Sequence, residues 1–333
     1  MAPGLIIQSD FSRKTLALNT TYRGRFAPSP TGPLHFGSLI SAVGSYLDAR
    51  SAGGQWLLRV EDLDAPRCRP EWADDILRTL AAFGFEWDGA VMYQSQRAQF
   101  YREAVLALQE RRLVYPCACS RREIADSSVR GIDGPVYPGT CRARPFEQRV
   151  ARALRLRIEN ARISFTDAIQ GSVTQEVEHA VGDFVVQRAD GVATYQLAVV
   201  VDDAAQEISH VVRGADLLHS TPRQIYLQRL LALPTPHYAH LPVAVNDAGE
   251  KLSKQTLAGP VDQRNPVPAL AAAFAFLGHP PPREADAISS LWRWGLLKWQ
   301  IAGVPHLATR QGNIDLADSP GQNPNQTPVA SNP

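Results

Sequence analysis

The sequence predicts an α/β fold built on a doubly wound parallel sheet, with a small inserted cysteine-rich subdomain and a helical C-terminal region. Three observations predict it. A strand-like run, a punctuated loop, a helical run and a second strand-like run follow one another within residues 22 to 60. Two strands bridged by a helix over about 40 residues make a parallel crossover. Strand-like apolar runs return after residue 152 and lead into a helical run at 220 to 233. With 333 residues and 44% hydrophobic side chains, the chain can build a sizeable core, as one large α/β domain with an insertion or two modest domains; 20% charged residues exclude global disorder.

Residues 1 to 21 carry mixed polarity without a period and are read as an extension. YRGRFA, at 22 to 27, is the first strand, stopped by Pro28 and Pro30, which remove ladder donors and fix φ. After the SPTGP turn, Leu39, Ile40, Val43, Tyr46 and Leu47 recur at helical spacing. Gly53 and Gly54 then break the chain before QWLLRV, a buried strand at 55 to 60. Residues 70 to 113 read as helical, with apolar spacing through Ile76, Leu80 and Phe83, then Val105, Leu106 and Leu113. The segment 115 to 147 is rich in Cys, Gly, Pro and Arg and is read as the inserted subdomain, dividing the sheet domain into 22 to 114 and 148 to 240. LRLRI, DFVVQ, TYQLAVVVDD and ISHVVRG all read as strand-like runs, although the third has an apolar pattern open to a helical reading. Residues 241 to 304 combine a punctuated loop with a helical stem, taken as helical from 266 to 303. From 305 the Asn-, Gln-, Pro- and Ser-rich composition predicts a disordered tail.

Lys and Arg number 34 against 33 Asp and Glu, a formal charge of +1, so any nucleic-acid contact must come from a local basic surface. Arg121, Arg122, Arg142 and Arg144 are candidates for RNA-backbone contact, with solvated side chains as the equally good alternative. The longest apolar stretch, near residues 269 to 277, is far below the roughly 18 residues of a membrane span. The N-terminus lacks the pattern of a secretory signal. Four cysteines, three of them clustered, favour a metal site in a reducing compartment over a disulfide scaffold. A cytoplasmic protein without a membrane is therefore expected.

RFAPSPTGPLHFGS, residues 25 to 38, joins a strand end to a glycine-spaced helix start. Backbone N–H groups and His35 at such a helix N-terminus favour a phosphate. There is no Walker loop and no GxGxxG. KLSKQ, residues 251 to 255, places Lys251 and Lys254 three apart on a Gly-bounded loop, suited to holding a pyrophosphate leaving group. RVEDLD puts Glu61 at a strand end facing the ligand crevice, where a carboxylate can accept from an ammonium group; pairing with Arg59 or Arg67 is the alternative. Asp62 and Asp64 read as structural caps. Tyr195 and Arg213, in TYQLAVVVDD and HVVRG, offer a hydroxyl and a planar guanidinium, and a guanidinium reads a carboxylate bidentately. Arg25 is a second candidate for that reading. Cys117, Cys119 and Cys141 supply three thiolates toward a tetrahedral zinc site, with Tyr137 the unusual fourth candidate and buried thiols the alternative. Cys68 is expected to pack as a small apolar side chain.

LHFG and KLSKQ together resemble the HIGH and KMSKS signatures of class I aminoacyl-tRNA synthetases. The RFAPSPTG start narrows the likeness to the glutamyl/glutaminyl branch. With RVEDLDAPR, DFVVQRADGVATYQLAVVVDDA and HVVRGADLL in order over roughly 22 to 300, it is closest to the glutamyl-Q tRNA(Asp) synthetases, a shortened glutamyl-tRNA synthetase branch. That resemblance implies a Rossmann-like class I core with an inserted zinc-binding subdomain. It implies ATP-dependent activation of L-glutamate, with Mg2+, and transfer to queuosine at the anticodon wobble position of tRNA(Asp). It assigns glutamate binding to Arg25, Phe26, Ala27, Pro28, Ser29, Glu61, Tyr195 and Arg213. It assigns ATP contacts to His35, Gly37 and Lys254, catalysis to His35, Lys251 and Lys254, and one structural zinc ion to Cys117, Cys119, Tyr137 and Cys141. The 79 residues after Lys254 leave no room for a helical anticodon-binding region, as the shortened family implies. A monomer is expected. The alternatives are a truncated glutamyl-tRNA synthetase charging a tRNA 3′ end, a non-catalytic RNA-binding relic, and an adenylyl transferase acting on a small molecule.

Overall fold

The computed structural model describes residues 21–132, 134–142, 151–246, 248–252 and 259–312. The first strand, β1 (Arg23–Phe26), stops where Pro28 would interrupt a ladder, and the chain turns into α1 (Phe36–Ser51). Leu39, Ile40, Val43 and Leu47, spaced three and four apart, are all buried along this helix. It returns to β2 (Gln55–Val60), which runs parallel to β1 with Arg23 opposite Gln55 and Phe26 opposite Leu58. The crossover helix α2 (Pro70–Ala82) leads to the short β3 (Met92–Tyr93), parallel to the end of β2.

A 3-10 turn (94–97) and α3 (Ala98–Glu110) carry the chain to β4 (Val114–Cys117) and into the cysteine-rich segment. There α4 (Arg121–Ser127) opens with a reciprocal capping box between Ser120 and Glu123, followed by the two-residue pair β5 (Arg130–Gly131) and β6 (Gly134–Pro135). Next come β7 (Ala153–Leu156), β8 (Arg162–Asp167), β9 (Gly171–Glu176), the single turn α5 (Val177–Ala180) and β10 (Val185–Arg188). β4, β7 and β10 form an antiparallel sheet. Then α6 (Tyr195–Ala205), β11 (His210–Gly214), a 3-10 turn (215–220), α7 (Thr221–Leu230), β12 (His237–Leu241) and β13 (Val243–Val245) follow. The described part closes with α8 (Pro266–Phe276), α9 (Ile288–Lys298) and β14 (Thr309–Gln311).

β11 lies beside β1: the Ser209 N–H donates to the Arg23 carbonyl at 3.0 Å, and the Arg23 N–H to Ser209 Oγ at 2.8 Å. β12 is parallel to β11 and touches β8, which pairs antiparallel with β9. Two sheets, β3-β2-β1 and β11-β12-β8-β9, thus meet edge to edge at β1 and β11, where the strand order reverses. Ligands bind outside the C-terminal strand ends at such a reversal. Helices cover both faces, as the period-two alternation demands. Leu58, Val212 and Ala239 join a core with α1, α2, α8 and α9, while Leu57, Val211 and Tyr238 join a second core with α3, α6 and α7.

Four expectations need correction. TYQLAVVVDD is a helix, α6, although its β-branched run read as strand-like: its whole middle is buried beneath the sheet, and burial overrides propensity. The helical reading of 70 to 113 is broken at 83 to 97, where Gly84 takes φ +76° and β3 adds an edge to the sheet. The run 266 to 303 is two helices, parted at Gly278 and the three prolines that follow His279. The expected tail from 305 begins with an ordered strand, β14, paired in parallel with β13. The extension up to residue 20, and residues 313–333, lie outside the described residues.

Candidate active site

At the strand-order reversal opens a cleft of about 570 Å³. Its walls come from the ends of β1, β2 and β11, the start of α1, the first residue of α6, and the strand-loop segment from 242 to 252. Arg25, Phe26, Ala27, Pro28, Ser29, His35, Gly37, Glu61, Tyr195, Arg213 and Lys251 all line it. Every expected glutamate residue and every expected phosphate residue except Lys254 is thus brought to one place. Lys254 lies outside the described residues.

The two signature segments meet over a glycine. A Cβ on Gly37 would stand 2.9 Å from the Leu252 carbonyl oxygen and 3.2 Å from the His35 ring. Only the missing side chain lets the KLSKQ segment approach the start of α1 this closely. His35 precedes that helix in an extended conformation. Its Nδ1 accepts the Ser38 N–H at 3.3 Å, so the ring is folded over the first helical turn. Lys251 donates to Asp216 Oδ2 at 2.6 Å, which ties the same segment to the turn after β11.

On the other side of the cleft two arginines sit at neighbouring strand ends. Arg25 donates from Nε to Asp203 Oδ1 at 3.1 Å and from a terminal nitrogen to Oδ2 at 3.4 Å. Arg59, wholly buried, reaches the same Asp203 carboxylate at 2.7 Å, Gln206 at 2.8 Å and Glu61 at 3.3 Å. Burial acts to raise the pKa of Asp203, but Arg25 and Arg59 outweigh it and hold the carboxyl below its usual range. Glu61 shares only Arg59's far nitrogen, and for it burial wins: its pKa is raised despite Arg59 and Arg25. A cationic guest would favour the charged form.

Arg213 is buried among neutral acceptors. It donates to His240 Nε2 (3.1 Å), Tyr195 Oη (3.2 Å), Thr221 Oγ1 (2.9 Å) and Gln224 Oε1 (2.8 Å). Among the described residues no carboxylate lies within ion-pair distance of it. Burial raises the Tyr195 pKa, which Arg213 partly offsets, so the phenol keeps its proton and can pass it as a hydrogen bond to a guest oxygen. A buried cation, a phenol and a carboxylate around one cleft suit a zwitterion carrying an additional acidic group.

The alternative raised for Glu61, pairing with Arg59, is present at 3.3 Å; sequence reasoning missed Asp167, Asp203, Asp216, Thr221, Gln224 and His240, which contact the lining residues or the side chains that hold them. The paired acids ending TYQLAVVVDD were a usable signal for Asp203, since a doubled acid closing an apolar run needs partners. His240 gave none. Asp62 accepts from the Ser95 N–H and Oγ at 2.7 and 2.6 Å, tying the segment after β2 to the 3-10 turn. Asp64 pairs with Arg67. Cys68 is half-buried, with Sγ 3.8 Å from the Glu61 carbonyl.

Away from the cleft, the sulfur atoms of Cys117, Cys119 and Cys141 lie within 4.8 Å of one another. The Tyr137 hydroxyl stands 3.4 Å from Cys117 Sγ and 3.6 Å from Cys119 Sγ, and it accepts the Cys141 N–H at 2.8 Å. Tetrahedral zinc with bonds of about 2.3 Å needs sulfur atoms about 3.8 Å apart, so three thiols with a phenol as fourth donor fit it. Burial pushes the Cys119 thiol up to about 11, a penalty that a divalent cation would reverse. Of the candidate RNA-facing arginines, Arg121 and Arg122 are exposed. Arg142 is engaged with the Ile158 carbonyl and Glu159, and Arg144 lies outside the described residues.

Residues 21–267 match the family model for the catalytic domain of class I tRNA synthetases (E and Q). The glutamyl-Q tRNA(Asp) synthetase of Dechloromonas aromatica (strain RCB) is 58% identical over 292 residues, covering 86% of this chain and 97% of that protein. The protein of that name from Chromobacterium violaceum is 54% identical over 86% of this chain and 96% of its own length. The crystal structure of a glutamate tRNA ligase from Elizabethkingia meningosepticum, in complex with its amino acid, superposes with a TM-score of 0.72 at 24% identity. It covers 87% of this chain and 67% of that one, a likeness of fold.

Proposed function

Because the chain belongs to the glutamyl-Q tRNA(Asp) synthetases, a family of class I tRNA synthetases and hence of ligases, we propose that it activates L-glutamate with ATP and transfers the glutamyl group to queuosine at the anticodon wobble position of tRNA(Asp). The observation that carries this reading is the cleft itself. Two segments more than 200 residues apart close over Gly37, beside a pocket whose buried arginine lacks a carboxylate partner among the described residues.

In this reading Glu61 takes the ammonium group of glutamate, and its raised pKa falls as the ion pair forms. Arg213 and Tyr195 take the side-chain carboxylate, with Arg25 and the backbone from Phe26 to Ser29 shaping the floor. Glutamine is rejected because its amide leaves a buried cation unneutralised. The α-carboxylate then displaces pyrophosphate at the α-phosphorus of ATP. His35, the backbone N–H groups near Gly37, Lys251 and Lys254 offset charge on the phosphates. ATP's Mg2+, when bound, supplies further charge neutralisation. No protein nucleophile is required; the rate comes from positioning and electrostatics. A cyclopentenediol hydroxyl of queuosine next attacks the activated carbonyl, AMP leaves, and an ester forms. Cys117, Cys119, Cys141 and Tyr137 hold one structural zinc ion, which would tie β4 to the segment around 137 to 141.

Glutamate-dependent ATP–pyrophosphate exchange tests the first step, and an acceptor assay over purified tRNAs tests the second. The expected result is labelling of queuosine-containing tRNA(Asp) and none of queuosine-lacking tRNA(Asp) or tRNA(Glu). Charging of tRNA(Glu) at its 3′ end would replace this reading with that of a truncated glutamyl-tRNA synthetase. No exchange at all would leave an RNA-binding relic, and exchange without any tRNA acceptor would leave an adenylyl transferase of small molecules. Among the described residues no helix is long and apolar enough to cross a membrane, and we expect a monomer acting in the cytoplasm.

A further inference from the structure

Behind Arg213, on the side away from the cleft, lies a second buried pair. His240 and Asp167 are both inaccessible to solvent, and His240 Nδ1 lies 2.6 Å from Asp167 Oδ2. The other ring nitrogen, Nε2, faces the Arg213 Nε–H at 3.1 Å and also stands 3.1 Å from Thr221 Oγ1. A guanidinium nitrogen can only donate, so Nε2 must carry its lone pair and the ring proton must sit on Nδ1. Asp167 can impose that arrangement. Its Oδ1 is held by three backbone donors, Ile169 N at 3.0 Å, Gln170 N at 2.8 Å and His240 N at 3.1 Å. Only Oδ2 is left for the ring, and a carboxylate oxygen can only accept. We propose that Asp167 and His240 are positioning residues for amino-acid recognition: they fix the imidazole tautomer that orients the guanidinium of Arg213 toward the cleft.

The inference rests on the reading that Arg213 receives the side-chain carboxylate of glutamate. It adds a reason for the geometry. A guanidinium on four rotatable bonds reads a carboxylate selectively only if its plane is fixed before the guest arrives. Thr221 and Gln224 grip one terminal nitrogen; His240 grips Nε and thereby sets the plane. Burial, with Arg213 beside it, drives the His240 pKa down to about 4 although Asp167 opposes the shift, so the ring is neutral at neutral pH.

The test is Asp167→Asn, which is nearly isosteric. Its carbonyl oxygen stays pinned by the same three backbone donors, so its NH2 must face His240 Nδ1. The ring proton then moves to Nε2, where Thr221 Oγ1 can accept it, and Arg213 Nε loses its acceptor and its fixed orientation. The expected result is a rise of about tenfold or more in the KM and Kd for L-glutamate, weaker discrimination against L-glutamine, and an unchanged KM for ATP. Ring 15N shifts of the unliganded full chain should report the Nδ1–H tautomer in the wild type and Nε2–H in Asp167→Asn. A purely structural pair would lower stability without moving the glutamate KM selectively. If Asp167→Asn does not fold, His240→Gln and His240→Leu replace it. Gln keeps an acceptor for Arg213 and should bind glutamate about tenfold better than Leu. Equal glutamate affinity in Asp167→Asn and the wild type, or in the Gln and Leu variants, overturns the proposal, as does an Nε2–H tautomer in the wild type. A wild type that binds no glutamate at all sinks the functional reading as well, so the two failures are distinguishable.

Discussion

Arg25 and Arg213 stand at the ends of neighbouring strands, both buried, both lining the same cleft, yet their surroundings differ in kind. Arg25 belongs to a group in which the Asp203 carboxylate answers both Arg25 and Arg59, with Glu61 beside Arg59. Arg213 is held by an imidazole, a phenol, a hydroxyl and an amide, none of them charged. The first group completes its electrostatics within the fold. The second leaves a positive charge for something else to neutralise. A residue type at a strand end thus does not declare its job; the charge of its neighbours does.

If that contrast is right, Arg213→Gln is the most damaging change to activity. Glutamate-dependent pyrophosphate exchange should fall on the order of 10³-fold in kcat/KM, the effect of losing one partner of a buried ion pair, while thermal stability holds. Asp203→Asn should show the reverse balance. It leaves Arg25 without its carboxylate and Arg59 with Glu61 alone, and should cost about 3–5 kcal/mol in a denaturant titration. An Asp203→Asn protein as stable as the wild type would break the contrast.

Lys254→Ala should slow exchange by about 10²-fold with KM for glutamate little changed, because its proposed charge acts on the phosphates. Cys141→Ala, remote from both arginines, should reduce zinc in elemental analysis to background; unchanged metal would remove the proposed site.

The smallest effect is in pH. The depressed His240 pKa means the unfolded chain binds a proton that the folded state refuses between about 6.5 and about 4. Stability should therefore fall as pH drops through that window, by at most about 1.4 kcal/mol per unit. Asp203, held low, adds loss in the same direction at still lower pH. Glu61 opposes it, since its raised pKa makes the folded state the better proton binder. Chemical denaturation of Glu61→Gln across this range should give a steeper decline than the wild type.

Much of the cleft was legible because it is built from short contiguous motifs. Arg25 to Ser29, His35, Gly37 and Glu61 fall within a single crossover, where strand end, loop and helix start lie next to each other in the chain. That the three cysteines and Tyr137 gather at one point was legible, because thiols at such spacings can meet around a common centre. TYQLAVVVDD misled, since three consecutive valines favour a strand locally while the space beneath the sheet demanded a helix. The break at Gly84 was hidden between two helices of the same period. The Asn- and Gln-rich end concealed β14, because edge pairing with β13 depends on backbone donors rather than on composition.

The chain itself determined the alternation that buries both faces of the sheet, the glycine that admits the Leu252 carbonyl, and the chemical kinds of side chain available to the cleft. All of these follow from local sterics and from residue types, which are properties of short stretches. Only the tertiary structure decided which charges meet. Asp203 comes to Arg25 from 178 residues away, and His240 to Arg213 from another strand. Such pairings depend on the folding of separate elements into one low-dielectric interior, where the presence or absence of a counter-charge decides whether a guanidinium is part of the frame or left for a guest.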